Sequence, residues 1–268
     1  MNKNFPGIGP LLQVWRRRRR LSQLELAAEV DVSQRHLSFV ESGRASPSRD
    51  LVMRLCRGLE LPPRECNTLL AAAGYAPAAN ERRFDDPELA SARDAVQRIL
   101  AAHDPHPALA VDRHWNLLAG NRAASMLMVG VAPSLVLPPV NVLRLSLHPE
   151  GLGPRVGNYR QWRDHVVARL ERQHTQAPDM ALAALIDEIR AYPVPAEARP
   201  HVRGGTDPLA GLAVPFELLT PLGTLRFLST TTVFGTAVDV LLSELVIEAF
   251  YPADAETVEL MRRLSGGD

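Results

Sequence analysis

Three segments near the start of the chain share one pattern, a serine followed by apolar residues at helical spacing. Ser22 precedes Leu26, Ala27 and Val30; Ser33 precedes Leu37 and Val40; Ser48 precedes Leu51, Leu55 and Leu59. A serine hydroxyl can accept from a free backbone N–H of the first turn, and apolar residues every three or four positions form one buried stripe. The spacing predicts helices over 22–30, 33–43 and 48–59. Two more flank them: Pro10 to Arg19, with Leu11, Leu12, Val14 and Trp15, and Arg64 to Ala73, opened by Pro62-Pro63. Glu25, three residues after Ser22, completes a capping box. Asp31-Val32 is the turn between the second and third helices, and Asp tolerates a left-handed backbone. Gly43 is placed to take the left-handed conformation that ends a helix.

Farther along, the pattern changes. Residues 76–88 have linker composition, and Ala90 to Ala102 reads as a helix with two alternative inward stripes, Ala95, Ile99 and Ala102 or Val96 and Leu100. His106 to Val111 and Trp115 to Ala119 read as short strands around Asp112-Arg113-His114. Asn121 to Met128, Gly157 to Arg172 and Asp179 to Tyr192 read as helices, whereas Val140 to Leu147 fits strand and helix equally. Ala213 to Leu219, Leu225 to Val233 and Glu244 to Phe250 are rich in Val, Leu, Phe and Thr, which favours strands. Gly223 sits in a hairpin connection, and Pro252 to Leu264 closes as a helix. The expected organisation is an all-α domain over 1–76, a linker over 77–89 and an α+β domain with an antiparallel sheet over 90–268.

The formal net charge of zero hides an uneven split. Residues 1–75 carry twelve Lys and Arg against seven Asp and Glu, a balance of +5 that leaves −5 on the remainder. A basic head on an acidic body suits a nucleic-acid-binding module joined to something that does not bind nucleic acid. The densest charge is Arg16 to Arg20, of which two or three can face one phosphate strand, since successive helical residues point around the axis. Met1 to Pro10 does not resemble a secretory signal, and no apolar run approaches the ~18 residues of a membrane span. Two cysteines, Cys56 and Cys66, fit a reducing cytoplasm and are expected as small buried apolar residues.

The 33–43 helix has its apolar stripe behind and Gln34, Arg35, Ser38 and Phe39 in front. Gln and Arg are side chains that make two-pronged hydrogen bonds to base edges in the major groove. Together with Leu21-Ser22-Gln23, Leu26-Ala27, Val32-Ser33, Val40-Glu41, Ser42-Gly43 and Pro47-Ser48, this stretch resembles the helix-turn-helix of the XRE family of phage-repressor-like domains. That family has Gly in the turn where this chain has Asp31. The candidate DNA contacts are Ser22, Gln23, Ser33, Gln34, Arg35, Ser38, Phe39 and Arg44, with Arg16, Arg19 and Arg20 for phosphate.

Similar agreement extends into the body, at Trp115-Asn116, Gly120-Asn121-Arg122-Ala123-Ala124, Asn141 to Arg144, Leu147-His148-Pro149-Glu150-Gly151-Leu152 and Tyr159-Arg160-Gln161-Trp162-Arg163. These residues resemble the MmyB-like transcription regulators, whose C-terminal ligand-binding domain has a PAS-like fold. The resemblance implies a one-component regulator that reads DNA with one half and senses a small molecule with the other, with fatty-acid-like molecules among the candidates. From the residues, apolar segments next to His148 suggest a pocket for an apolar chain with one polar end. Its candidate lining is Trp115, Met126, Leu143, Leu147, Tyr159 and Trp162, with His148 or Arg144 as polar partner. The expected partners are a palindromic double-stranded operator, a small apolar ligand and a second copy of the chain in a homodimer.

Catalytic patterns are missing: there is no phosphate-cradling glycine loop, no Gly-x-Ser-x-Gly elbow and no His-Glu-x-x-His. His103, Asp104, His106 and His114 lack metal-ligand spacing, and the three histidines read as surface groups. Neither cofactor nor enzymatic activity is expected. The competing readings are a constitutive repressor whose body only dimerises, and an enzyme tethered to DNA.

Overall fold

The computed structural model describes residues 7–200, 214–234 and 239–266. Met1 to Pro6, part of the stretch read as lacking a secretory signal, and Ala213, expected to begin a strand, lie outside them. The chain divides into two compact units, Met1–Arg83 with Gly235–Ser243, and Phe84–Phe234 with Glu244–Asp268.

Between residues 7 and 83 the first unit has five helices, α1 (Ile8–Arg18), α2 (Gln23–Glu29), α3 (Gln34–Glu41), α4 (Arg49–Gly58) and α5 (Pro63–Ala72). The three serines cap as their spacing predicts, accepting from Glu25 N, His36 N and Leu51 N, and the Glu25 carboxylate accepts in turn from Ser22 N. Asp31 takes φ 52° and Gly43 φ 74°, so the α2–α3 and α3–α4 connections turn at residues that tolerate the left-handed region. Leu12, Leu26, Leu37, Val40, Leu55 and Leu69 meet in one core. Gly9 lets α1 approach α3 closely, because a Cβ there would lie 2.3 Å from Glu41 O.

Two expectations about this unit change. Cys56 and Cys66 are joined as a disulfide rather than being separate thiols: the α4–α5 turn brings their Cα atoms to 5.5 Å, well within bridging range. The start of the linker is also tied down. Asn67 on α5 accepts from Ala78 N and Ala79 N and donates to Ala79 O, and Arg64 pairs with Glu81. Arg82 pairs with the buried Asp239 at 3.2 Å, and Val240 N donates to Asn80 O, so residues 239–243 pack within this unit.

The second unit begins with a 3₁₀ turn and α6 (Ala90–Ala101), which buries Val96 and Leu100 and leaves Ile99 exposed, deciding between its two stripes. Then come β1 (Ala108–Val111), β2 (Leu117–Gly120), α7 (Arg122–Leu127), α8 (Val142–Leu147), α9 (Tyr159–Gln176) and α10 (Met180–Ala191). Asn141 resolves the ambiguous segment: it caps α8 by accepting from Arg144 N. The last third gives β3 (Phe216–Thr220), β4 (Gly223–Val233), β5 (Val246–Pro252) and α12 (Ala255–Ser265), with the short α11 (Val240–Glu244), which up to Ser243 belongs to the first unit, between β4 and β5. Among the described α-helices and strands, α11 alone has no counterpart among the predicted elements.

All strand pairs are antiparallel, in the order β2-β1-β5-β4-β3. This sheet with its surrounding helices is the PAS-like α+β architecture that the resemblance implies. α9 buries Tyr159, Trp162, Val166 and Leu170 on one stripe, and these join Val111, Leu147, Leu225 and Phe227 in the second core.

Candidate functional site

In the helix-turn-helix, one buried carboxylate fixes the recognition helix. Glu41, the last residue of α3, is 4% exposed and takes two bonds from Arg16, Nε to Oε1 at 2.6 Å and Nη2 to Oε2 at 3.0 Å. Gln23 Nε2 adds a third at 2.8 Å, and Gln13 Nε2 donates to the Glu41 carbonyl. Arg16 also donates to Leu21 O, and its bond to Glu41 raises its pKa further. Arg16 and Gln23, both expected at DNA, thus join α1, α2 and α3 together. Arg19 is similarly engaged, closing the end of α4 through Leu59 O and Glu60 O.

The remaining candidates keep their surface. Ser22, Ser33, Gln34, Arg35, Arg44 and Arg20 are exposed, and Ser38 and Phe39 are half-buried. The Arg35 guanidinium lies 5.4 Å from the Phe39 ring centre, which steadies a long side chain at the front of α3. Arg17 and Arg18 are exposed as well, with Arg18 over Trp15 at 4.9 Å.

The second unit contains a cavity of about 720 Å³, its open mouth included. Apolar walls come from Leu109 on β1, Leu127 on α7, Leu143 on α8, Val166 on α9, Phe216 on β3 and Phe250 on β5, with Trp115 and Trp162 among them. Trp115 reaches the cavity from a residue at φ 68°, in a turn held by Asp112, whose carboxylate accepts from His114 N and from both nitrogens of Asn116. Gln173 on α9 accepts from Trp115 Nε1 at 3.0 Å. Next to this turn, burial would raise the Asp179 carboxyl, but hydrogen bonds from His114 and Arg113 hold it well below the usual carboxylate range. Trp162 donates to Ser146 on α8.

Four polar residues line the cavity, Ser146, His165, Arg169 and Glu248. Glu248 is 4% exposed on β5, and its Oε1 accepts from Arg169 Nη2 and from Thr231 Oγ1. The guanidinium of Arg169 lies 4.1 Å from the Trp115 ring centre. His165 stacks on Trp162 at 5.5 Å, and burial, with Arg169 and Arg172 nearby, lowers its pKa, leaving the imidazole uncharged at neutral pH.

Of the eight expected ligand residues, Trp115, Leu143 and Trp162 line the cavity; Met126, Arg144, Leu147, His148 and Tyr159 do not. Helical geometry gives the reason. On α8, residues 142, 143, 145 and 146 face the cavity, so 144, 147 and 148 point the other way. Arg144 pairs with Glu188 on α10 at 2.6 and 2.7 Å, joined there by Tyr192. His148 Nδ1 accepts from Glu150 N, and its ring meets Tyr192 edge-on at 5.1 Å. Tyr159 is fully buried and donates to Leu147 O, pinning α9 to α8. Sequence reasoning missed His165, Arg169 and Glu248. The first two had a signal, since 162, 165, 166 and 169 fall on one face of a helix.

The histidines read as surface groups are half-buried: His103 meets Phe250 O at 2.8 Å, His114 meets Asp179 at 2.9 Å, and His106 lies edge-on to His103 at 5.9 Å with its Nδ1 buried and without a hydrogen bond. Among the described residues no group of three or more His, Cys, Asp or Glu could hold a metal ion, and no helix is long and apolar enough to cross a membrane.

Residues 92–264, more than half of the chain, match the family model of the MmyB-like transcription regulator ligand binding domain. The chain belongs to the MmyB-like transcription regulators. A helix-turn-helix domain model matches residues 8–69. No curated protein matches the chain. The regulator thus joins a DNA-binding head to a ligand-binding body, and the cavity lies within the part that matches the ligand-binding family.

Proposed function

We propose that this regulator binds a two-fold operator as a homodimer in the cytoplasm, and that a small molecule with an apolar chain and one polar end, fatty-acid-like in shape, occupies the body's cavity and changes operator affinity. The observation that carries the reading is the cavity itself: a largely apolar chamber with its few polar groups gathered on α8, α9 and β5 is how ligand sites combine affinity with orientation. A body that only dimerised would have no need of it. Enzymatic turnover would need a nucleophile with an activating base, whereas the Ser146 hydroxyl donates to Leu143 O and accepts from Trp162, and the Glu248 carboxylate is already paired with arginine.

In the head, residues 1–76, Gln34 and Arg35 read base edges, while Ser22, Ser33, Ser38, Arg20 and Arg44 contact phosphate and sugar. One such helix reads only a few base pairs, too little for selectivity in a genome, so two copies bind half-sites about one turn, ~34 Å, apart. The sensor spans 90–268. β5 carries Glu248 at the cavity and β4 carries Thr231, which donates to it, and the residues between these strands, 239–243, hold Asn80 and Arg82 in the head unit. A ligand that moves the two strands therefore acts on a segment that belongs to the head. It regulates only as far as it prefers one arrangement over another.

Thermal unfolding of the full-length protein with straight-chain amphiphiles of eight to fourteen carbons tests this. Tm is expected to rise with chain length, since burial contributes ~0.8 kcal/mol per methylene. No rise with any of them leaves the constitutive repressor.

A further inference from the structure

The polar end of the cavity contains both signs of charge, and they are already matched. Among the lining residues Arg169 is a cation, Glu248 an anion and His165 uncharged at neutral pH. Arg169 is fixed three ways: on Glu248, on Thr231 Oγ1 at 2.7 Å and over the Trp115 ring. Glu248 is more deeply buried than Arg169, with side chains 5% and 21% exposed. Its Oε1 accepts twice, while Oε2 has no protein donor among the described residues. His165 makes no hydrogen bond to the described residues either.

A carboxylate entering here would find no uncompensated cation. It would sit beside a fixed buried carboxylate, and like charges at such range in a poorly solvated site repel strongly. Displacing Glu248 from Arg169 would leave a buried charge unpaired, which is costly. Arg144, the cation that the sequence offered to an acid, is held by Glu188 away from the cavity. What the site lacks is a donor for Glu248 Oε2 and a partner for His165.

We infer that the cavity selects an uncharged head that can both donate and accept, a primary alcohol or primary amide on an apolar chain, over the corresponding carboxylate. The head donates to Glu248 Oε2 and accepts from a remaining N–H of Arg169 or from His165, and the chain runs between Trp162 and the leucines of α7 and α8. The inference rests on the ligand-sensing reading above and goes further, by naming the chemistry of the head.

Three probes of equal chain length separate the two: 1-decanol, decanamide and decanoate, titrated calorimetrically into the full-length protein at pH 7.5 below their aggregation limits. The alcohol and the amide are expected to bind at least about tenfold more tightly than decanoate. Glu248→Gln, which removes the negative charge and keeps the shape, is expected to erase most of that preference by improving decanoate. Decanoate binding as tightly as the alcohol to the unmodified protein overturns the inference while leaving a ligand-binding cavity. Failure of all three to bind overturns the cavity reading and the inference with it. The comparison of heads needs no variant, so it stands even if Glu248→Gln folds poorly.

Discussion

Each unit of this protein is built around a buried glutamate held by an arginine from another element, yet the two pairs do opposite work. Glu41 in the head is saturated, with two bonds from Arg16, one from Gln23 and a fourth from Gln13 to its carbonyl. Nothing remains for a ligand, and the pair acts as a rivet between α1, α2 and α3. In the body Glu248 has one oxygen engaged, and its arginine lies against a tryptophan that also lines a cavity. A closed ion pair is scaffolding; one left open beside an apolar chamber is a recognition element. The distinction lies in the remaining hydrogen-bond capacity rather than in the residue types.

The largest expected effect separates the two pairs by stability. Glu41→Ala leaves Arg16 half-buried without its partner and is expected to cost about 3–5 kcal/mol in urea unfolding. Glu248→Ala is expected to cost less, about 1–3 kcal/mol, because water in the cavity can take the place of the lost carboxylate. A larger loss at Glu248 than at Glu41 breaks the comparison.

Next in size is the reading surface. Arg35→Ala is expected to weaken specific DNA binding by about 1–3 kcal/mol and to relax preference at one base pair of each half-site. Equal weakening on specific and random DNA in a gel-shift titration assigns Arg35 to the backbone instead. The smallest effect sorts the arginine run. Arg20→Gln is expected to lower the slope of log affinity against log salt by about one, as loss of a phosphate contact does. Arg19→Gln is expected to leave the slope unchanged, because that side chain caps α4.

The head was legible because its signals are local. Serine caps, a capping box and a left-handed Asp31 are written within three or four residues, and the helices they predict form. The body was legible as elements and much less so as a site. Which face of α8 looks inward depends on where α10 docks, and no spacing within Val142 to Leu147 carries that. Arg144 and His148 looked like pocket groups because they adjoin apolar residues, but 100° per residue turns them onto α10. Glu248 needed the opposite reasoning: a charged residue amid Val-Ile-Glu-Ala-Phe in a strand signals either a mistaken strand or a buried partner. Its partner, Arg169, lies 79 positions away. The disulfide had the same difficulty, since ten residues of separation bring two cysteines together only once the α4–α5 turn is known.

The most direct test of the central claim is operator affinity of the full-length protein, on a site selected from random-sequence DNA, with the cavity empty and with it saturated by the tightest-binding of the three ten-carbon probes. Coupling between body and head predicts a change of at least about fivefold in Kd, with the operator changing the probe's affinity by the same factor. An unchanged Kd, with a raised Tm showing the cavity to be filled, would contradict it.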